Sequence, residues 1–375
     1  MIRILARAVA PAILLACLVT STVPAFAKPV VEVAFVLDTT GSMASLIEGA
    51  KRKIWSIATT IIDENPGAEI RMGLVAYRDI GDEYVTRRVE LTTDIQDLYA
   101  RLLELRARGG GDWPESVNEA LHEGVTKLVW TQGPDVSRIV FLVGDAPPHM
   151  DYAQDVKYPD ALKIARERDI VVNAVQAGEA RDTMRVWREI AQMGNGVYIP
   201  IPQDGGKVVV IETPYDIEII ELQERLNGTV LPYGPRYKRS SVEQKTRQAS
   251  AAPAPMAADM AGYLNKRARQ APSGSAEAIT GDGDLVADVS AGRQQLATVK
   301  DDELPDAIRA LKPEERQEAI TKRMNERGKV NERMTALVKQ RDAFIAEQQK
   351  KRQPAKAADS FDQAVQSTLR TQIKR

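Results

Sequence analysis

The sequence predicts an α/β protein with a doubly wound, mostly parallel six-stranded sheet, followed by a largely helical, partly disordered C-terminal region. Three observations lead there. From Val30 to about Pro202, short apolar runs alternate with segments whose apolar residues recur at helical spacing, as expected for strands joined by crossover helices. Two of those runs, Ile139-Val140-Phe141-Leu142-Val143 and Ile170-Val171-Val172, are β-branched and nearly continuous, which suits strands covered on both faces. Beyond residue 300 the chain becomes dense in Lys, Arg and Glu, with only sparse apolar residues.

Taken in order, the first strand is Val30–Leu37, an apolar run that ends on Asp38-Thr39-Thr40-Gly41-Ser42-Met43. A helix over Leu46–Ile62 follows from its apolar spacing. Strands are predicted over Ile70–Tyr77 and Tyr84–Leu91; the second alternates with charged residues, as an antiparallel edge strand does. Asp94 is an N-cap candidate for a helix to Arg106. Pro114 suits the first turn of a helix running to Trp130. Strand Ser137–Val143, helix Asp160–Arg168, strand Ile170–Val175 and helix Asp182–Met193 complete the alternation. Gly194-Asn195-Gly196 then stops the helix before a last strand, Gly196–Ile201.

The division that follows is a leader over 1–27, the α/β domain over 28–212, a helical extension over 213–243, a flexible linker over 244–300 and a charged helical region over 301–375. The linker expectation rests on Ala, Pro, Ser and Gly content around Gln244–Gly283, with a helical turn or two over Met256–Ala268. In the last region Ile320, Met324, Met334, Val338 and Ile345 are roughly heptad-spaced. Arg327, Asn331 and Arg341 fall on the same seam, where a coiled coil wants apolar residues. Two readings stay open: a solvated helix, or a helical hairpin or coil completed by self-association through 301–373. Ser360–Ile373 reads as a small amphipathic helix.

Composition narrows the function. At 375 residues and 43% hydrophobic the chain can bury a sizeable core. With 51 Lys+Arg against 52 Asp+Glu, nothing draws it globally to nucleic acid or anionic membrane. Arg3 and Arg7, an apolar stretch from Ala8 to Val19 and the small-x-small site Ala25-Phe26-Ala27 read as an export signal cleaved after Ala27, placing the mature chain in the periplasm or outside the cell. An N-terminal membrane anchor and a lipoprotein attachment at Cys17 are the alternatives. Cleavage removes Cys17, the single cysteine, and with it thiol catalysis, disulfides and cysteine–zinc sites. No later apolar run is long enough to span a bilayer.

Four segments gather chemistry near the expected ends of elements. They are Asp38-Thr39-Thr40-Gly41-Ser42, Tyr77-Arg78-Asp79, the glycine loop Gly109-Gly110-Gly111-Asp112-Trp113-Pro114-Glu115, and Val143-Gly144-Asp145-Ala146-Pro147-Pro148-His149. In a doubly wound sheet, ligands bind beyond the carboxyl ends of the central strands. Acids brought together there repel one another and raise each other's pKa, a conflict that a hard, oxygen-seeking cation removes. Read locally, Thr40 and Ser42 could instead cap the next helix, Asp145 could be a turn acid, Asp112 an N-cap, Glu115 a first-turn acid, and Arg78 with Asp79 a structural pair.

These motifs resemble the von Willebrand factor type A domain and its metal-ion-dependent adhesion site, over about Val30 to Ile201. The Gly-Gly-Gly-Asp-x-Pro-Glu and Gly-Asp-Ala-Pro-Pro-His forms are most similar to the subgroup found in hemicentins and beside some alpha-type kinases; nothing here resembles the kinase part. The resemblance implies a divalent cation, Mg²⁺ first with Mn²⁺ and Ca²⁺ as alternatives. Thr40 and Ser42 would bind it directly, Asp38 and Asp145 through water, and Asp112 from the second loop. It implies a protein ligand of unknown identity, with Thr39, Met43, Arg78, Asp79, Trp113, Glu115 and His149 as candidates for the binding face. It implies no catalysis. Two other readings compete: an envelope scaffold assembling through the C-terminal helices, and a Mg²⁺-dependent phosphatase with Asp38 as nucleophile, which lacks the usual second acid and a clear lysine. Asp-Thr-Gly-Ser of aspartic proteases is interrupted here by an extra Thr.

Overall fold

Each of the six expected strands forms in the computed structural model, which describes residues 29–206, 211–270, 283–351 and 360–373. The strands are β1 (Val30–Asp38), β2 (Glu69–Tyr77), β3 (Thr86–Thr92), β4 (Val136–Gly144), β5 (Ile170–Ala177) and β6 (Asn195–Ile201). They form one sheet in the order β3-β2-β1-β4-β5-β6. All neighbours are parallel except β2 and β3, so the charged run is the antiparallel edge. The expected leader over 1–27, with Cys17, lies outside the described residues. Among the described residues no helix is long and apolar enough to cross a membrane.

Five helices alternate with the strands: α1 (Ala44–Glu64), α2 (Ile95–Glu104), α3 (Val117–Thr126), α4 (Tyr158–Glu167) and α5 (Arg181–Met193). Strand side chains alternate between faces, and the core divides accordingly. Val31, Val33, Phe35 and Leu37 of β1 pack with α1 and α2 on one face. Ala34 and Val36 pack with α3, α4 and α5 on the other. Asp94 caps α2 as expected, its side chain accepting from Asp97 N–H. Helix α3 begins three residues later than Pro114 suggests, with Ser116 at its N-cap. The backbone just before it is bridged to the loop after β4 instead of joining the helix. Glu115 N–H donates to the Pro147 carbonyl and His149 N–H to the Glu115 carbonyl.

The remaining chain departs furthest from expectation. It forms α6 (Asp216–Asn227), α7 (Arg236–Ser250), α8 (Ala254–Gln270), α9 (Leu285–Ser290), α10 (Asp306–Arg309), α11 (Pro313–Lys351) and α12 (Phe361–Gln372). Much of the expected linker is α7 and α8. Met256, Met260, Tyr263 and Leu264 of α8 are buried in the α1 side of the sheet core, and Ala258 and Ala261 face α6 and α11. Its alanines read as low complexity in sequence but allow close helix packing. Helix α12 is likewise no free tail. Phe361, Ala364, Val365 and Leu369 lie on the α1 face of the sheet, with Phe361 6.2 Å from the ring of Phe35.

Helix α11 is not solvated all round. Val330, Met334, Leu337 and Val338 pack on α6 and α8, and Ile320 packs with Leu231, Leu285 and Ile308. The arginines that spoil its heptad are internal anchors. Arg327 is buried, with Nη1 donating to Asp284 Oδ2 at 2.6 Å and Nε to Thr229 Oγ1 at 2.6 Å. Arg341 bonds Asp216 at 2.8 Å and Asp259 at 2.7 Å. Removing one member of a buried pair strands the other charge, at about 3–5 kcal/mol. Asp284→Ala is therefore expected to lower stability by that amount in urea unfolding. A loss under about 1 kcal/mol, the scale of an exposed pair, would contradict this.

Candidate metal centre

The carboxyl end of β1 is the centre of the site. Asp38 is the last residue of the strand and has no exposed surface. Its Oδ1 accepts from Thr40 N–H at 2.8 Å and from Thr40 Oγ1 at 2.7 Å, and Thr40 Oγ1 lies 3.3 Å from Ser42 Oγ. Neither hydroxyl caps a helix: the short 3₁₀ turn Gly41–Met43 and α1 both begin without a side-chain cap. The turn is clamped by the glycine loop. Gly41 N–H donates to the Gly109 carbonyl at 3.1 Å, and Arg108 N–H to the Thr39 carbonyl at 3.1 Å.

Two glycines let the acids approach. A Cβ on Gly144 would stand 2.4 Å from the Tyr77 hydroxyl and 3.3 Å from Asp38 Oδ2. Gly110 has φ +83°, and a Cβ there would stand 3.1 Å from Glu115 Oε1 and 3.2 Å from Thr40 Cβ. The loop thus brings Glu115 beside the Asp38 turn. Asp145 follows the end of β4. Its Oδ2 accepts from Gln203 Nε2 at 2.6 Å, and its carbonyl accepts from Thr183 Oγ1 at 2.9 Å.

The electrostatics are those of a centre short of positive charge. Asp38 Oδ2 and Glu115 Oε2 are both buried without a hydrogen-bond partner. Burial first, and then the Asp145 carboxylate, push the Asp38 carboxyl up to about 7. Burial, followed by Asp38, Asp79, Asp82 and Asp145, pushes Glu115 up to about 9. A divalent cation would relieve both conflicts, and the donor set of carboxylates and hydroxyls is the one that Mg²⁺, Mn²⁺ or Ca²⁺ takes. Asp38, Thr40, Ser42, Glu115 and Asp145 are therefore the candidates to hold such an ion at this turn.

The expected ligand Asp112 faces His149. Its side chain is 62% exposed, and its Oδ2 is 3.5 Å from His149 Nε2. His149 Nε2 is also 3.5 Å from Asp79 Oδ2, so Asp79, Asp112 and His149 form a second cluster. Asp79 does not pair with Arg78. Its Oδ1 accepts from Ser116 Oγ and its Oδ2 from the Tyr152 hydroxyl, each at 2.8 Å. Arg78 instead stacks on Tyr84 and donates to the Arg106 carbonyl at 2.8 Å and to Glu83 at 3.3 Å.

Of the seven residues expected on a binding face, only Trp113 is exposed, at 48%, with its indole N–H on Asp182 at 2.6 Å. Met43 is a core residue. Thr39 is buried and donates its hydroxyl to the Tyr77 carbonyl. Arg78, Asp79, Glu115 and His149 are also buried, because the four loops pack on each other. The exposed apolar residues of these loops are Ile80 and Met150, each at 50%, together with Trp113.

Gln203, Tyr152 and Asp82 were not legible as site residues. Gln203 comes from beyond β6 and no local pattern marks it. The i, i+3 spacings of Asp79 with Asp82 and of His149 with Tyr152 were a usable signal. Asp82 Oδ2 accepts from Gly110 N–H at 3.1 Å and ties the two loops together.

Residues 32–212 match a family model described as the von Willebrand factor A domain. Among curated proteins, an ariadne-like RING finger protein of Acanthamoeba polyphaga mimivirus is 31% identical over 122 residues, covering 32% of this chain and 12% of that protein. Alpha-protein kinase vwkA of Dictyostelium discoideum is 27% identical over 126 residues, covering 33% and 19%. The chain thus spans less than a fifth of the length of these relatives. Similar solved structures include the pilus adhesin SpaC of Lactobacillus rhamnosus GG, at 16% identity and a TM-score of 0.36 over 47% of this chain and 29% of that one. The SpRpn10 VWA domain aligns at 14% identity and a TM-score of 0.36, over 47% of this chain and 89% of that one.

Proposed function

Because residues 32–212 form a von Willebrand factor A domain, we propose that this chain is an exported binding module. It holds a divalent cation at the Asp38 turn and engages another protein with the loops around it. The observation that carries the cation is the pair of buried, unpartnered carboxylate oxygens on Asp38 and Glu115. Thr40 and Ser42 supply hydroxyl ligands, Asp38 and Asp145 act through water, and Glu115 replaces Asp112 as the acid from the glycine loop. With three carboxylates ionised around one divalent ion the centre stays net negative. A carboxylate from the partner is then drawn in weakly, and the ion acts mainly to organise the loops.

Support for a protein partner comes from Ile80, Trp113 and Met150. These are exposed large apolar side chains, one on each of three site loops, and tryptophan and methionine are enriched at protein interfaces. Calorimetric titration of the full chain with Mg²⁺ is expected to show one site, lost in Thr40→Ala/Ser42→Ala. Partner capture from an envelope extract is expected to be lost in the same variant and in chelator. A wild-type chain that binds neither Mg²⁺ nor Mn²⁺ would overturn the reading.

A further inference from the structure

We propose that His149, Asp79 and Asp112 form a second cation site, separate from the Asp38 turn and suited to a transition metal of the zinc class. One ligand atom from each lies within 4.8 Å of the others. His149 Nε2 stands 3.5 Å from both Asp79 Oδ2 and Asp112 Oδ2, too far for good hydrogen bonds. Zinc bonds of about 2.0–2.2 Å at tetrahedral angles place neighbouring ligand atoms roughly 3.4 Å apart. The two separations to His149 are those of ligands around a metal.

The histidine is built to serve. Its side chain is 7% exposed, and its Nε2 has no hydrogen-bond partner. Nδ1 lies 2.9 Å from Asp151 Oδ1. With a metal bound, that carboxylate would hold the Nδ1 proton and leave the Nε2 lone pair for the ion, the relay that orients metal-bound histidines. The ring is stacked on Tyr152, with centroids 4.0 Å apart and planes 9° from parallel. Tyr152 in turn fixes Asp79 Oδ2, and Ser116 fixes Asp79 Oδ1, each at 2.8 Å. Two ligands are thus locked, while exposed Asp112 closes the site and leaves a position open to solvent or to a donor from a partner protein. An imidazole with carboxylates selects zinc-class ions, whereas the all-oxygen donors at the Asp38 turn suit Mg²⁺ or Ca²⁺.

The test uses the full chain in excess Mg²⁺, titrated with Co²⁺ by visible absorption and with Zn²⁺ by calorimetry. One equivalent of each is expected, with Co²⁺ ligand-field bands showing nitrogen ligation. His149→Ala should abolish them and Asp112→Asn should weaken binding tenfold or more. Asp151→Asn, a positioning change, should weaken it by about 10–100-fold. Ser42→Ala should leave Co²⁺ and Zn²⁺ binding intact even if it abolishes Mg²⁺ binding, so the two sites fail independently. Asp112 is exposed, so its substitution spares the fold. Equal Co²⁺ and Zn²⁺ affinity in wild type and Asp112→Asn, or no uptake by the wild type, overturns the proposal.

Discussion

Removing the chain beyond Lys351 is expected to unfold the sheet domain, although that domain lies far upstream. Helix α12 seals the sheet face that α1 and α2 leave open towards β4 and β6. Phe361, Ala364, Val365, Leu369 and Ile373 are each at most 6% exposed. Gln372 and Asn173 exchange hydrogen bonds at 2.8 and 2.7 Å, and Phe361 N–H donates to the Gly205 carbonyl at 2.9 Å. Burying one large apolar side chain is worth about 1.5–3 kcal/mol, so the four large ones bring about 6–12 kcal/mol as an upper bound. Whole domains hold only about 5–15 kcal/mol. Phe361→Ala alone should cost about 3–5 kcal/mol. Thermal and urea unfolding of the truncated chain decide the matter: a midpoint equal to that of the full chain would show the helix to be dispensable.

The second large effect is a reversal of pH dependence by metal. In the metal-free protein the folded-state carboxyls of Asp38 and Glu115 sit at about 7 and about 9, above their usual 3.8 and 4.5. The folded state then holds protons that the unfolded chain has released, so stability falls as pH rises. The contribution of these groups is fully present below about pH 4, is lost for Asp38 as pH passes 7, and is lost for Glu115 as it passes 9. A divalent cation takes the place of those protons and binds better as they leave. Its stabilisation, about 2.7 kcal/mol at a hundred times Kd, should therefore grow from pH 5 to pH 8. Melting curves in chelator and in Mg²⁺ across that range provide the check. The chelated slope should flatten in Asp38→Asn and in Glu115→Gln. A chelated wild type that gains stability between pH 5 and 8 would contradict the account.

The α/β fold was legible because local pattern and global packing agree there. Continuous β-branched runs became the central strands, and the charged alternating run became the edge. Asp38, Thr40 and Ser42 were legible as a unit because they are neighbours in one turn. Asp112 and Glu115 were harder to separate. Both belong to the glycine loop, and only the left-handed turn at Gly110 and the backbone bridge from Glu115 to Pro148 decide which acid turns inward. The C-terminal half was least legible. Arginines on the α11 seam read as breaks in an apolar stripe, yet each meets an aspartate far away in sequence, and no local periodicity encodes such a partner. Alanine-rich α8 read as a linker because small residues look alike in a mobile chain and in a tight helix contact.

The placement of α12 also sets an order of events. Contacts such as Gln366 Nε2 with Ser56 Oγ close a span of 310 residues, and closures of that length come late in folding. During synthesis the strands emerge well before their final cover, so the nascent chain carries an unsealed greasy surface for much of its production. Such transiently uncovered apolar surface is what makes a folding intermediate prone to aggregate.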